Sequence, residues 1–263
     1  MRIFGVLPAG GSGSRMLAQR PKQYLELAGK SLLEHALAAL LAEPRIESVL
    51  VVVSPGDPHA ARLQLPLRSR MLSVAGPTRA HTVRNALDHL VAQGAGEDDR
   101  VLVHDAARPC LPPADLAALI DLAAGDASGG LLAAPLADTL KRESAGGDAE
   151  PGGGTQALAP SAALRAAPRV AQTVAREGLW RALTPQIFPL GLLRAALAGD
   201  AVQWATDEAS AVERLGHRPR LVAGSARNLK VTVPDDLEVA RALLLAAAAA
   251  SCTASGAASQ ESA

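Results

Sequence analysis

Behind a short apolar run, the segment Pro8-Ala9-Gly10-Gly11-Ser12-Gly13-Ser14-Arg15-Met16 crowds small residues into one loop. Residues this small let backbone N–H groups close around an anion, and Arg15 adds a positive charge, so the loop reads as a phosphate cradle. It matches neither common glycine signature. A dinucleotide fingerprint wants a third glycine where Met16 stands, and a Walker A loop closing on Gly29-Lys30-Ser31 wants one where Tyr24 stands. Lys22 follows in RPKQY, in a chain with four lysines against 22 arginines, so a task explains it better than solubility does. Arg15 and Lys22 together bring two cations to one cradle, the arrangement that stabilises charge building up on a phosphorus centre.

VLVHDAARP sets Asp105 just past an apolar run, followed by Ala106, Ala107, Arg108 and Pro109. A carboxylate at a strand end facing a polyphosphate is a natural Mg2+ ligand, because Mg2+ commonly takes one or two carboxylates plus substrate phosphate oxygens. His104 reads as a packed residue, since no second histidine or carboxylate stands at a zinc-like spacing. Three further clusters carry hydroxyls and charge: Arg79 and Thr82 in TRAHTVRNAL, Thr206 and Asp207 in WATDEASAVE, and Lys230 in NLKVTVP. Asp207 and Thr82 each also suit the cap of a following helix. No Ser-His-Asp or Cys-His set stands out, so covalent hydrolytic catalysis has no visible machinery.

The elements that must hold these groups alternate. Residues 3–7 form a strand buried on both faces. Ser31 with Glu34 makes a capping box ahead of a helix through ALAALLAE, and ESVLVVVS is the next buried strand. A strand MLSVA, a helix over 82–93, a strand RVLVH, a helix over 113–124 and a strand GGLLAAPL carry the alternation to residue 136. This is the pattern of right-handed βαβ crossovers: an α/β fold with a mostly parallel twisted sheet and helices on both faces, Rossmann-like, whose ligands sit beyond the carboxyl ends of the strands. Residues 143–171, rich in Gly, Ala and Pro, break the rhythm and read as a long flexible excursion. After them come WRALTPQIF, a helix over 190–198, another from Asp207 to Leu215, a strand RLVAG and a last helix from about residue 235. A single domain over residues 1–250 is expected, with 251–263 as a disordered tail.

Lys and Arg together number 26, as do Asp and Glu, and a formal net charge of zero argues against a partner made of nucleic acid or anionic membrane. The 56 alanines swell the hydrophobic share of 49% without enlarging the core in proportion, so Leu and Val must build it. Cys110 and Cys252 show neither a disulfide framework nor a metal spacing, which fits a reducing compartment. The run ALLLAAAAA is too short to cross a bilayer, and a soluble cytoplasmic protein is expected.

Taken in order, PAGGSGSRM, PKQY, LEHAL, VLVHDAARP, AAPLADTLKR, LTPQIF, TDEASAVE and NLKVTVPDDL closely resemble the 2-C-methyl-D-erythritol 4-phosphate cytidylyltransferase family of the non-mevalonate isoprenoid pathway, over residues 2 to about 245. HDAARP, TPQ and TDEAS are the most specific of these blocks. The resemblance implies a nucleotidyltransferase fold, CTP and methylerythritol 4-phosphate as substrates, Mg2+ as the divalent cofactor, and a homodimer. In that homodimer a protruding arm, here about residues 138–176, reaches across the partner's active site. It further implies that Arg15 and Lys22 stabilise the pentacoordinate transition state at the α-phosphorus, and that Pro8, Ala9, Gly10, Gly11, Gly13 and Ala106 surround the nucleotide. Arg79 and Thr82 would lie near the cytosine, and Asp105 with Mg2+ and the triphosphate. Arg176, Thr139 and Thr184 would bind methylerythritol phosphate from the partner's arm region. Thr206, Asp207, Arg108 and Lys230 would complete the substrate phosphate pocket, Lys230 by orienting the nucleophile. Two positions depart from the family's usual pattern: Gly10 where alanine is commoner, and Thr82 where serine is usual, a change that keeps the hydroxyl.

Two other functions stay open from the residues alone. A cytidylyltransferase of the same fold acting on ribitol 5-phosphate differs by few side chains, and the set Arg176, Thr184 and Thr206 favours methylerythritol phosphate over it. A CTP-binding regulatory module without catalysis would need the cradle but not Arg15, Lys22, Asp105, Arg176 and Lys230.

Overall fold

Side chains along a strand point alternately to opposite faces, so each inner strand of a covered sheet feeds two cores at once. The computed structural model of the chain describes residues 1–11, 20–144 and 168–258. Gly13 and Arg15 of the loop, and most of the 143–171 excursion, lie outside the described residues. The strands are β1 (Ile3–Pro8), β2 (Glu26–Leu27), β3 (Lys30–Ser31), β4 (Ile46–Val52), β5 (Ser69–Leu72), β6 (Arg100–Val103), β7 (Gly130–Pro135), β8 (Leu140–Glu143), β9 (Val170–Val174), β10 (Trp180–Pro189) and β11 (Arg220–Ala223). The helices are α1 (Leu32–Leu41), α2 (Arg79–Ala92), α3 (Pro113–Ala123), α4 (Leu190–Ala196), α5 (Ala201–Trp204), α6 (Glu208–Glu213) and α7 (Pro234–Ala258).

Among the described residues, seven strands form one sheet in the order β11-β7-β10-β6-β1-β4-β5. β1 runs parallel to β4 and β6, β4 to β5 and β7 to β11, while β10 is antiparallel to β6. Ile3, Leu7, Val49, Val51 and Leu102 enter one core, where they meet Leu33 and Leu37 of α1 and Leu116 and Leu119 of α3. Phe4, Val6, Leu50, Val52, Val101 and Val103 enter the other, against Val83 and Leu87 of α2, Leu193 of α4 and Val212 of α6. The expected mostly parallel sheet with helices on both faces is therefore the fold observed. Leu and Val supply it, each buried side chain contributing about 1.5–3 kcal/mol before entropy is subtracted.

Boundaries differ where tertiary pairing overrides the local pattern. α2 starts at Arg79 rather than 82, because the Thr78 hydroxyl accepts from the His81 N–H and caps it. β5 starts two residues before MLSVA and shares only Met71 and Leu72 with it, since its register with β4 ends at Val52 opposite Leu72 and leaves residues 73–75 for a loop. WRALTPQIF belongs to β10. The small β2–β3 hairpin, which the sequence pattern did not announce, turns through Ala28 (φ 49°) and Gly29 (φ 83°), and the alanine there carries no turn signal. α7 continues to Ala258, past residue 250 where a disordered tail was expected, in line with alanine's rank as the strongest helix former.

Packing divides the chain into two units, Met1–Ala134 with Ala182–Ala263, and Pro135–Arg181. Within the second, β8 and β9 pair antiparallel, and the Ser144 N–H donates to the Arg169 carbonyl at 2.9 Å. The two ends of the excursion are thus strands rather than free coil.

Candidate active site

The loop after β1 is held from behind. The Ala9 N–H donates to the Val52 carbonyl at 2.8 Å. Gln23, in a single 3-10 turn over Lys22–Tyr24, donates Nε2 to the carbonyls of Ala9 (2.7 Å) and Gly11 (3.0 Å), and Ser54 Oγ donates to that of Gly10 (3.0 Å). These bonds tie the loop's carbonyl oxygens to protein donors, so an anion in front of the loop is not opposed by them. Close contact explains two glycines. A Cβ on Gly10 would lie 2.3 Å from the Ala75 methyl, and one on Gly76 would lie 2.5 Å from His81 Cβ. The loops after β1 and β5 can therefore face each other across a cleft of about 190 Å³, whose walls include Pro8, Ala9, Gly10, Gly11, Lys22, Gly76, Arg79, Thr82, Asp105, Ala106 and Lys230.

Asp105 stands just past β6 and anchors the charges. Its Oδ1 accepts from Arg79 Nε at 2.8 Å and its Oδ2 pairs with Lys230 Nζ at 2.8 Å, with Arg108 Nε 3.7 Å away. Burial alone would raise this carboxyl; the charges of Arg79 and Lys230 outweigh it and hold the group well below the usual carboxylate range. Arg79 reaches a second acid, Glu208 Oε1, through Nη1 at 2.7 Å. Burial opposes the Arg79 charge, but Glu208 and Asp105 more than restore it. Burial pushes the Glu208 carboxyl up, against the pull of Arg79. Lys22 Nζ donates to the Val231 carbonyl at 3.0 Å, and the Val231 N–H donates to the Ala107 carbonyl at 2.8 Å. The segment carrying Lys230 is thereby tied to both the Asp105 turn and Lys22.

His104 is wholly buried behind that turn. Its Nε2 lies 3.1 Å from the Arg108 carbonyl, which only accepts, so Nε2 carries the proton. Nδ1 is then bare and accepts from the Thr184 hydroxyl at 3.0 Å, whose oxygen accepts in turn from the Asp105 N–H at 3.0 Å. Burial lowers the imidazole to about 4, which keeps this tautomer neutral. As expected, His104 packs rather than ligates.

Several expected site residues have partners within the chain. Thr184, expected on the substrate, is buried on β10, where its hydroxyl accepts from the Asp105 N–H and donates to His104 Nδ1, and so holds the Asp105 turn. Asp207 was expected in the phosphate pocket; its Oδ1 accepts from the Ser210 N–H (2.9 Å) and its Oδ2 from Gln186 Nε2 (2.9 Å), which makes it the cap of α6. The Thr82 hydroxyl donates to the Thr78 carbonyl (3.0 Å) and accepts from the Gly76 N–H (3.1 Å), shaping the cleft wall on which its side chain stands. Arg108 turns inward, with Nη1 donating to the Asn228 carbonyl at 2.7 Å. Thr206 is exposed, its hydroxyl donating to Ser210 Oγ at 3.1 Å. Thr139 and Arg176 belong to the second unit, where Arg176 donates to the Ala137 carbonyl.

Sequence reasoning passed over Gln23, Gln186, Glu208 and Asn228, all buried. A signal for Glu208 existed: it shares a helix face with Ala211 and Val212, three and four residues on, and a glutamate on an apolar face needs a partner. Arg79 had one too, as a cation at the first position of a helix, where the dipole disfavours it unless acids compensate.

Residues 3–246 match the family model described as IspD: 2-C-methyl-D-erythritol 4-phosphate cytidylyltransferase. The chain is 53% identical over 245 residues to the 2-C-methyl-D-erythritol 4-phosphate cytidylyltransferase of Laribacter hongkongensis, covering 92% of this chain and 96% of that one. It is 45% identical to the protein of the same name from Neisseria gonorrhoeae, with 92% and 96% covered. A crystal structure of a 4-diphosphocytidyl-2C-methyl-D-erythritol synthase superposes with a TM-score of 0.76 at 42% identity, covering 92% of this chain and 99% of that one.

Proposed function

The chain belongs to the 2-C-methyl-D-erythritol 4-phosphate cytidylyltransferase family, and we propose that the cleft between the glycine loop and Asp105 is where its chemistry takes place. The enzyme transfers CMP from CTP to 2-C-methyl-D-erythritol 4-phosphate, giving 4-(cytidine 5'-diphospho)-2-C-methyl-D-erythritol and pyrophosphate. The observation that carries the site assignment is the meeting of Lys22, Lys230, Arg79 and Asp105 on one cleft walled by Gly10 and Gly11.

A phosphate oxygen of the substrate forms a bond to the α-phosphorus of CTP while the bond from that phosphorus to the β-phosphate bridging oxygen breaks, its electron pair leaving with pyrophosphate. The attacking phosphate is already anionic, so no general base is needed, and the protein's work is to align and neutralise. Amides of the glycine loop hold the triphosphate. Lys22, with Arg15 from the same loop, offsets the charge on the pentacoordinate phosphorus. Lys230, 40% exposed at its side chain, is free enough to turn from Asp105 and orient the attacking phosphate.

Asp105, the one carboxylate on the cleft wall among the described residues and held ionised, fits a Mg2+ ion arriving with the triphosphate. Among the described residues no cluster of three His, Cys, Asp or Glu side chains is placed to hold a metal unaided, which fits a cation shared with the substrate's phosphates. When bound, such an ion neutralises the leaving pyrophosphate.

The active form is a homodimer in which the arm, through Thr139 and Arg176, completes the partner's substrate pocket. The family resemblance supports this, as does the exposure of Lys141, Arg142, Glu143 and Val170 to Thr173 in the β8–β9 ribbon, because a lone two-stranded ribbon is marginal without cover. No helix among the described residues is long and apolar enough to cross a membrane. A cytoplasmic location is proposed on the free thiol of Cys110 and the absence of a metal or disulfide cysteine pattern.

Pyrophosphate release from CTP and Mg2+, run in parallel with methylerythritol 4-phosphate and with ribitol 5-phosphate, tests the function. Release with the first and not the second is expected. CTP binding with silence toward methylerythritol 4-phosphate would overturn it.

A further inference from the structure

Arg79 divides its guanidinium between two acids. Nε bonds Asp105 Oδ1 and Nη1 bonds Glu208 Oε1, while Nη2 and Glu208 Oε2 are buried without a hydrogen-bond partner. A guanidinium beside a carboxylate ordinarily takes it with two parallel bonds. Here neither acid receives two, and Asp105 Oδ2 is left to Lys230.

Glu208 cannot yield its place. It is 1% exposed and opens α6, whose start is fastened twice: Asp207 caps it through Ser210, and Gln186 Oε1 of β10 accepts from the Ala209 N–H at 2.8 Å. It does not line the cleft and meets it through Arg79, which does.

We infer that Glu208 is a positioning residue that holds back the Arg79 fork, limiting it to one bond on Asp105 and leaving Asp105 free to exchange Lys230 for the incoming nucleotide and its cation. Without Glu208, Arg79 swings its second nitrogen onto Asp105 and occupies both carboxylate oxygens. The inference rests on the cleft being the CTP site.

The experiment uses the full chain and reads CTP binding by calorimetry in Mg2+, steady-state constants and urea unfolding for Glu208→Gln and Glu208→Asp. Glu208→Gln is expected to raise both the Kd and the KM for CTP about tenfold, the usual scale for a group that orients a ligand-binding residue, and to change kcat far less. Glu208→Asp, which keeps the charge but draws it back, shifts them in the same direction by less, and carries the test if the glutamine variant does not fold. In an Asp105→Asn background Glu208→Gln should leave the CTP Kd unchanged, because its effect runs through Asp105. Wild-type CTP binding in the variants with only a lower unfolding midpoint would overturn the inference, as would full additivity with Asp105→Asn. Failure of the wild-type chain itself to bind CTP would instead sink the site assignment.

Discussion

At the scale of the residue, His104 links stability to pH through a single proton. Burial lowers its imidazole to about 4, whereas in the unfolded chain it titrates near 6.5. As pH falls between those values the unfolded state takes a proton that the native state refuses, so stability is full above the upper value and declines toward the lower one. The slope of this contribution approaches about 1.4 kcal/mol per pH unit. Urea unfolding across that window should show the slope in the wild type and lose about one proton's worth of it in His104→Gln. An unchanged slope would contradict the neutral, buried tautomer. Lys22 is the second test at this scale. Its side chain stands on the cleft wall, so Lys22→Met should cut turnover by roughly two to three decades, the cost of removing one preorganised charge stabiliser. Stopped assays at saturating CTP would read it, and near-wild-type turnover would exclude the role. Both residues stood out in the sequence, Lys22 by its rarity and His104 by its lack of a metal-spaced partner. Glu208 did not, because only the fold reveals which acid faces which arginine.

At the scale of the element, the loops after β1 and β5 are fitted to each other by the exchange of one methyl group. Ala75 fills the space that a side chain on Gly10 would need, which accounts for the glycine at that position. Gly10→Ala should therefore cost about 1–3 kcal/mol of stability through overpacking and weaken CTP binding. Adding Ala75→Gly should recover most of both, and equal losses in the single and double variants would refute the pairing. Element types were readable because periodicity is local: the buried runs at 3–7 and 100–104 and the Ser31–Glu34 capping box lie where the sequence places them. Starts and stops were less so. Thr82 suits a cap by its type, but it is the Thr78 hydroxyl that accepts from the His81 N–H and caps α2. Asp207 offered a cap and a ligand role with equal justification until Ser210 and Gln186 claimed its two oxygens.

At the scale of the whole molecule, the proposed homodimer makes each active site depend on two chains. Arg15→Met and Arg176→Met, each inactive alone, should partly restore activity when mixed and allowed to exchange subunits, because one site in the mixed dimer keeps both arginines. Restoration fails if every site is self-contained, and exchange is verified by mass-tagged subunits. By itself the sequence determined the fold class and the family, and it singled out the small-residue loop and the two lysines, since each is written in neighbouring residues: apolar period, ordered motif blocks, clustered small side chains, rare cations. The tertiary structure alone decided how the charges are shared. Arg79 meets Asp105 across 26 positions and Glu208 across 129, and Lys22 meets Val231 across 209. Such pairings are chosen by which strand ends the sheet order brings together and by how deeply each group is cut off from water. Neither quantity exists until the chain has folded.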